Sequence, residues 1–405
     1  MKGVLRVAAF RRLLAAYTLN ELAWSFGTLA LSYLVYRRTG SAIGAAAFYV
    51  CSMFVPAFLA PAIVARLDRR PVRLVLPALY GGEAVLYALL AALTRHFTLA
   101  PVLAITLLDG ALALTARPIA RAAVASATSP LGLLREGNAV VNVAFSLTYL
   151  LGPAIAGAVV ALGGTSLALL VNVGVFASIS VVLLSSARLP APDVPAEQPA
   201  RGRVRAALTY TRGHRATRVL LGLHASGLIF FTISIPVEVV YAQHTLHAGA
   251  GGYGALLSAW GAGSIAGSAI YARWRSAPAR ALMALGAVTI AIGFGGMAAA
   301  PTLAVAVAAA GIAGIGVVVG QVAARTAIQE QTDSQWMALV MSFVGAVEQV
   351  VPGTGIILGG ALTAIASPRF ALAVGSAGAF AVTIAIWWLL RERMGFHEPA
   401  ADARL

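Results

Sequence analysis

The chain has little of what keeps a protein in water and little of what enzymes use for chemistry. Only 11% of its 405 residues are charged, against about a quarter in a soluble domain, so a soluble globular reading is excluded. One cysteine, Cys51, excludes an intrachain disulfide and reads as a packing residue. Histidines number six. Two of them, His244 and His247, have an i, i+3 spacing that can hold metal, but no Cys or carboxylate stands near them in sequence, so no metal is expected. No His lies beside a credible nucleophile, which argues against a membrane enzyme. A GxxxxGK[ST] loop is missing, which argues against a chain driven by its own ATP hydrolysis. Gly261, Gly263 and Gly267 look like part of a dinucleotide fingerprint, but they sit inside an apolar run and read as a packing face. No cofactor is expected. Long polar stretches are absent too, except at 188–215.

What the chain does have is apolar length. Hydrophobic residues make up 60% of it. They fall into twelve runs, at 13–36, 43–65, 74–94, 99–120, 139–162, 165–187, 217–243, 252–272, 281–299, 302–324, 338–364 and 369–390. Most are near the roughly 20 residues that carry a helix across the hydrocarbon core. Lipid cannot satisfy backbone polar groups, so only helices and closed barrels span it. Barrel strands would be about 10 residues long with alternating polarity, and these runs are neither. The expectation is an all-α integral membrane protein with twelve transmembrane helices. Its first run, 24 residues long, exceeds a signal-peptide core and is expected to remain as helix 1.

Charge then sets the orientation. Of the 29 Lys and Arg residues, 25 fall on one side of the alternation, and the other side has only Arg37, Arg38, Arg95 and Arg369. By the positive-inside rule both termini and the central loop are expected to be cytoplasmic, in a multi-pass protein of a bacterial inner membrane. The net charge of +15 is dispersed over short loops, as insertion and anionic lipid headgroups require. Membrane lipids are therefore expected partners and nucleic acid is not.

The polar stretch divides six runs from six. The expected units are a six-helix half at 1–187, a cytoplasmic linker with an amphipathic helix at 188–216, a second half at 217–391 and a tail at 392–405. At an offset of 207, AIVARLDRRPVRL (62–74) lies over AIYARWRSAPARA (269–281), with Arg66, Pro71 and Arg73 matching Arg273, Pro278 and Arg280. A second echo, at an offset of 204, pairs Arg121 with Arg325. Matches at the same place in each half indicate an internal duplication, which is common in transporters.

With these features the chain resembles the major facilitator superfamily over essentially its whole length. It is most similar to the bacterial drug and siderophore exporters of the macrolide-efflux and enterobactin-export kind. The residues carrying that likeness are Val35-Tyr36 with Thr39-Gly40-Ser41, Leu67-Asp68-Arg69-Arg70, Gly152-Pro153 with Gly157, Tyr210 with Arg212 and His214, and Val340-Met341-Ser342. The resemblance implies two six-helix bundles, with helices 1, 4, 7 and 10 lining a central cavity. It also implies a cytoplasmic gate at the loop after helix 2, here Arg66, Asp68, Arg70 and Arg73, to which the repeat adds Arg121, Arg273 and Arg325. Two positions depart from the family pattern: Ala65 stands where an Asp is usual and Leu339 where an Arg is usual. Gly152, Pro153 and Gly157 resemble a helix 5 motif associated with antiporters, and physically they offer a kink and a thin face for tight packing.

Five acids fall inside the runs: Glu21, Glu83, Asp109, Glu238 and Glu348. A charge near the bilayer centre costs about 2.5–3.5 kcal/mol even on lenient scales, so each needs a cavity, a partner or a proton. Glu21 is the leading candidate for proton coupling or substrate contact, with Tyr17 at i−4 and Trp24 at i+3 on the same helix face. Asp109 and Glu238, on helices 4 and 7, are further candidates for proton coupling or the substrate cavity; Asp109 ranks below Glu21 because a pair with Arg117 or Arg121 on its own helix would fit a structural lock better than a proton carrier. Glu83, in a Gly81-Gly82 setting, suits packing as well as transport, and Glu238 follows Pro236 near the outer end of its helix, within reach of water, where it can serve as an external gate or snorkel. The function expected is a secondary active transporter, a proton-coupled exporter of a small amphipathic compound such as a drug, siderophore or other metabolite, acting as a monomer by alternating access. A lipid or lysolipid translocator of the same fold is the alternative reading, with a membrane enzyme or a non-transporting partner protein behind it.

Overall fold

The computed structural model describes residues 3–67, 70–185, 209, 213–274, 277–332 and 337–391. Among these residues every regular element is a helix. Ten helical stretches are long and apolar enough to cross a membrane. One of them, Glu136–Leu184, has 49 residues, about 74 Å at the helical rise, which is over twice a hydrocarbon core. It is two helices, because Gly164 breaks the run at φ 77° and ψ 173°, a backbone conformation open essentially to glycine alone. A further helix at the start of the chain is more polar than the ten, carrying Arg11, Arg12, Asn20 and Glu21. Together these make the twelve.

In chain order they are α1, Ala8–Thr39; α2, Ala42–Tyr49 continuing through a π-turn at Val50–Phe54 into Val55–Leu67; α3, Val72–Leu93; α4, Leu99–Thr128; and α5 and α6, the two arms of Leu134–Leu184. The second half has α7, Arg215–Thr232 with Ser234–Val240 and a π-turn at Tyr241–Thr245; α8, Gly249–Arg273; α9, Ala279–Ala299; α10, Leu303–Glu330; α11, Met337–Ile365; and α12, Pro368–Arg391. Several helices run beyond the apolar spans, as where α10 reaches Glu330, because a helix continues into polar surroundings once its apolar part is anchored. The amphipathic segment expected at 188–216 and the tail at 392–405 lie almost wholly outside the described residues.

The joint between α1 and α2 shows how the sequence sets a boundary. Gly40 takes a left-handed conformation at φ 62° and its N–H donates to the Tyr36 carbonyl at 2.8 Å, which closes α1. Ser41 then caps α2, its hydroxyl accepting from the Gly44 N–H at 3.1 Å.

Odd-numbered helices start, and even-numbered helices end, on one face, where Gly3 and Arg391 lie and most of the described arginines gather. This is the basic face, and the opposite one is the far face. Within the first half α1 packs on the α5–α6 arms and α3 on α4 and the same arms, while in the second half α10 packs on α8 and α9 and α12 on α9. The halves meet chiefly along two seams, α5 with α8 and α2 with α11, and α2 also touches α7. At the first seam a Cβ on Gly254 would lie 2.5 Å from the Pro153 carbonyl, and one on Gly157 would lie 2.8 Å from the Ala250 carbonyl. Further along, a Cβ on Gly261 would lie 2.6 Å from the Tyr149 carbonyl. Backbones therefore touch where small residues allow it. At the second seam Gly353 abuts Phe54 and Gly360 abuts Ala46. All of these approaches lie between the far face and the middle of the helices.

Candidate transport site

Below the seams, on the side of the basic face, the first half presents a charged wall. Glu21 sits on α1 with its side chain 5% exposed, and Arg117 of α4 donates from Nη2 to its Oε2 at 3.0 Å. The same guanidinium lies over the Trp24 ring, 5.3 Å from its centroid. One turn further along α4, Arg121 lies 5.9 Å from the Tyr17 ring centroid and donates to the Tyr17 hydroxyl at 3.2 Å. The helical spacing of Tyr17, Glu21 and Trp24 thus forms a ladder of ring, acid and ring, and two arginines one turn apart read it. Each arginine has both a charge or hydroxyl contact and a π-face. Arg117 remains 31% exposed, so the pair is not sealed from its surroundings.

The second half carries a different arrangement. Arg325 of α10 grips Glu348 of α11 with both ends of its fork, Nε to Oε1 at 2.8 Å and Nη2 to Oε2 at 2.5 Å. His224 of α7 adds Nε2 to the same Oε1 at 3.0 Å. Sequence reasoning placed Arg325 at a gate and noted Glu348 as a membrane acid, but it missed His224 and the triad. A signal was there: the 207-residue offset carries Tyr17 onto His224, as the 204 offset carries Arg121 onto Arg325. The equivalent positions are therefore used differently: Tyr17 touches Arg121 directly, and His224 shares the Glu348 carboxylate with Arg325.

Two expectations need correction. Asp109 does not pair with an arginine: it accepts from the Tyr87 hydroxyl at 3.3 Å, inside the first half and against α3. Eight residues of helix separate it from Arg117, about 12 Å of rise and 80° of rotation, and that arginine is committed to α1. Glu238 is not open to water at the end of α7. It is buried, and its Oε1 accepts from the Trp260 Nε1–H at 2.8 Å. The other assigned positions lie where helix geometry puts them. Arg66, Arg70, Arg73 and Arg273 are exposed at the basic face, and Asp68 lies outside the described residues. Gly157 and Pro153 form the α5–α8 seam, and a Cβ on Gly152 would lie 2.6 Å from the Ser25 hydroxyl of α1.

Toward the far face the halves are joined by hydroxyls. Tyr49 of α2 and Tyr253 of α8 share a hydrogen bond of 2.6 Å, and Ser32 of α1 donates to the Tyr253 hydroxyl at 3.3 Å. All three residues are buried. Two six-helix halves, closed at one face and carrying exposed ionic groups toward the other, are the layout expected of the major facilitator fold.

Solved structures share that fold. The nucleoside transporter NupG superposes with a TM-score of 0.77 at 11% identity, covering 95% of this chain and 100% of that one. A bacterial homolog of the human lysosomal transporter Spinster, in an inward-facing and unoccupied conformation, gives 0.70 at 12% identity, covering 93% and 94%. A POT family transporter in complex with a thioalcohol-conjugated peptide gives 0.70 at 12%, covering 94% and 96%. No curated protein matches the chain by sequence. Residues 3–343 match the family described as transmembrane secretion effector, and the chain belongs to that family of major facilitator transporters.

Proposed function

We propose that this chain is a proton-driven exporter of a small amphipathic compound, working as a monomer in a bacterial inner membrane with its basic face toward the cytoplasm. The observation that carries the reading is the Glu21–Arg117 pair, an ion pair on the two helices expected to face the cleft, with one partner buried and the other partly exposed. Three groups can compete for the Glu21 carboxylate: Arg117, a proton, and a cationic or hydrogen-bonding group of a substrate held against Trp24 and Tyr17. Proton and substrate then exclude one another at Glu21, which is the condition for exchange rather than leak. The reading is supported by the seams between the halves, which run from the far face to mid-helix, and by arginines left exposed below them. This is the pattern of a state open toward the cytoplasm. Arg66 with Arg273, and Arg121 with Arg325, stand at equivalent points of the two halves and would change partners when the halves rock.

The test uses purified protein in proteoliposomes with an imposed pH gradient and ethidium as an amphipathic cationic probe. Gradient-driven ethidium movement with counter-flow of protons is expected, and Glu21→Gln should abolish both. Proton flux that persists unchanged in Glu21→Gln would remove Glu21 from the coupling role.

A further inference from the structure

Behind α1, away from the cleft, the first half contains a second polar group that the exchange at Glu21 does not use. Glu83 of α3 is fully buried, and neither of its carboxylate oxygens has a hydrogen-bond partner. Tyr87, one turn on along α3, donates to Asp109 Oδ2, while Asp109 Oδ1 has no partner. Asn172 of α6, also fully buried, donates its amide to the Ala23 carbonyl of α1 at 2.9 Å and leaves its Oδ1 unpartnered. Glu83 lies within Coulombic range of both Asp109 and Arg117. Four oxygens without a partner, Glu83 Oε1 and Oε2, Asp109 Oδ1 and Asn172 Oδ1, therefore lie in one apolar interior, with the hydroxyl of Thr106, one turn before Asp109, as a buried donor that is also without a partner. Two ionised carboxylates left so are the arrangement that desolvation most strongly opposes.

We infer that Glu83 and Asp109, with Tyr87 and Asn172, form a proton-binding site in the first half, separate from the substrate cleft. A proton taken from the aqueous phase forms one O–H bond on a carboxyl, and that O–H donates to a facing acceptor oxygen. The proton leaves to the aqueous phase by the reverse step, with no electrons exchanged. A proton fits better than a metal cation because no water-sized space adjoins any of the four oxygens. The titratable groups around the site are Tyr80 and Tyr87 on α3, Arg117 on α4 and Glu21 on α1. Asn172 is the polar group α6 brings. On α2 the Ser52 carbonyl approaches Gly110, and the Tyr49 hydroxyl is engaged with Tyr253.

The site has a mechanical outlet. Its Tyr87 hydroxyl and Asn172 amide both press on α1 at Gly27, where a Cβ would collide with the Tyr87 hydroxyl. The same helix carries Glu21 toward the basic face and Ser32 at the far-face closure. Filling and emptying the site therefore acts on the one helix that touches both ends of the cycle.

In its role within transport the inference rests on the proton-driven reading, but its test does not. Infrared spectra of the detergent-solubilised protein at neutral pH should show the carbonyl band of a protonated carboxyl that shifts in D2O. That band should be lost in Glu83→Gln or in Asp109→Asn and retained in Glu238→Gln. Gln and Asn keep the side-chain volume, and if one variant does not purify the other carries the assignment. A band region identical to wild type in both variants overturns the site. So does thermal stabilisation of wild type, but not Glu83→Gln, by sodium chloride over choline chloride, since that assigns a metal cation instead. A retained band beside absent proton-driven flux would separate failure of the transport reading from failure of the site.

Discussion

Replacing Tyr253 with Phe should unlatch the far face while leaving the protein folded. The Tyr253 hydroxyl is the shared member of two hydrogen bonds between the halves, to Tyr49 at 2.6 Å and from Ser32 at 3.3 Å, and the substitution deletes both without altering the ring. Side-chain hydrogen bonds inside membrane proteins average about 0.6 kcal/mol and reach about 1.7. Two of them, with the buried Tyr49 hydroxyl left to find a new partner, come to about 1–3 kcal/mol. At about 1.4 kcal/mol per factor of ten, the balance between far-face-closed and far-face-open states should move about fivefold to a hundredfold toward open. The assay is the rate at which a membrane-impermeant maleimide modifies a cysteine placed near the far-face end of α8, in a Cys51→Ser background. Tyr49→Phe in the same background should give a smaller shift, and the double variant should add little to Tyr253→Phe because Tyr253 holds both bonds. If Tyr253→Phe leaves the labelling rate at the wild-type level, the hydroxyl cluster is not what holds the halves together there.

Two further outcomes follow from the same geometry. Arg117→Gln leaves the buried Glu21 without its guanidinium. Breaking a buried pair costs about 3–5 kcal/mol, and with Arg117 partly exposed about 2 kcal/mol is expected. Thermal unfolding in detergent should show this loss, and Glu21→Gln in the same chain should restore most of it. Gly157→Leu drives a side chain into the α8 backbone and should reduce transport more than tenfold at about 1–3 kcal/mol of overpacking. Gly174→Leu, at a position with open space around its Cβ, should keep wild-type transport, and equal losses in both would break the link to the seam.

The features legible in the sequence were those that act locally. Apolar length and the sidedness of the arginines define the helices, and Thr39-Gly40-Ser41 marks a joint that the backbone realises with a left-handed glycine and a serine cap. Glu21, Tyr17 and Trp24 share a face because of helical period alone. Their partners could not be read in the same way, since Arg117 is 96 residues away from Glu21 and only the packing of α1 on α4 decides which arginine meets it. Asp109 misleads for the same reason: proximity along a helix suggests a pair that rotation and rise prevent. His224 was the most recoverable omission, because the repeat offset already placed it opposite Tyr17.

The glycine seam also sets a gearing. From the Leu150–Gly261 contact to the start of α5 at Leu134 is 16 residues, a lever arm of about 24 Å at the helical rise. A tilt of about 10° about that fulcrum moves the basic-face end by about 4 Å, while atoms at the crossing itself move by a fraction of an ångström. The mouth can then widen by the width of a small molecule with little change in contact at the pivot. By the same ratio, a single methyl group added at the crossing acts as a wedge whose thickness is multiplied at the mouth.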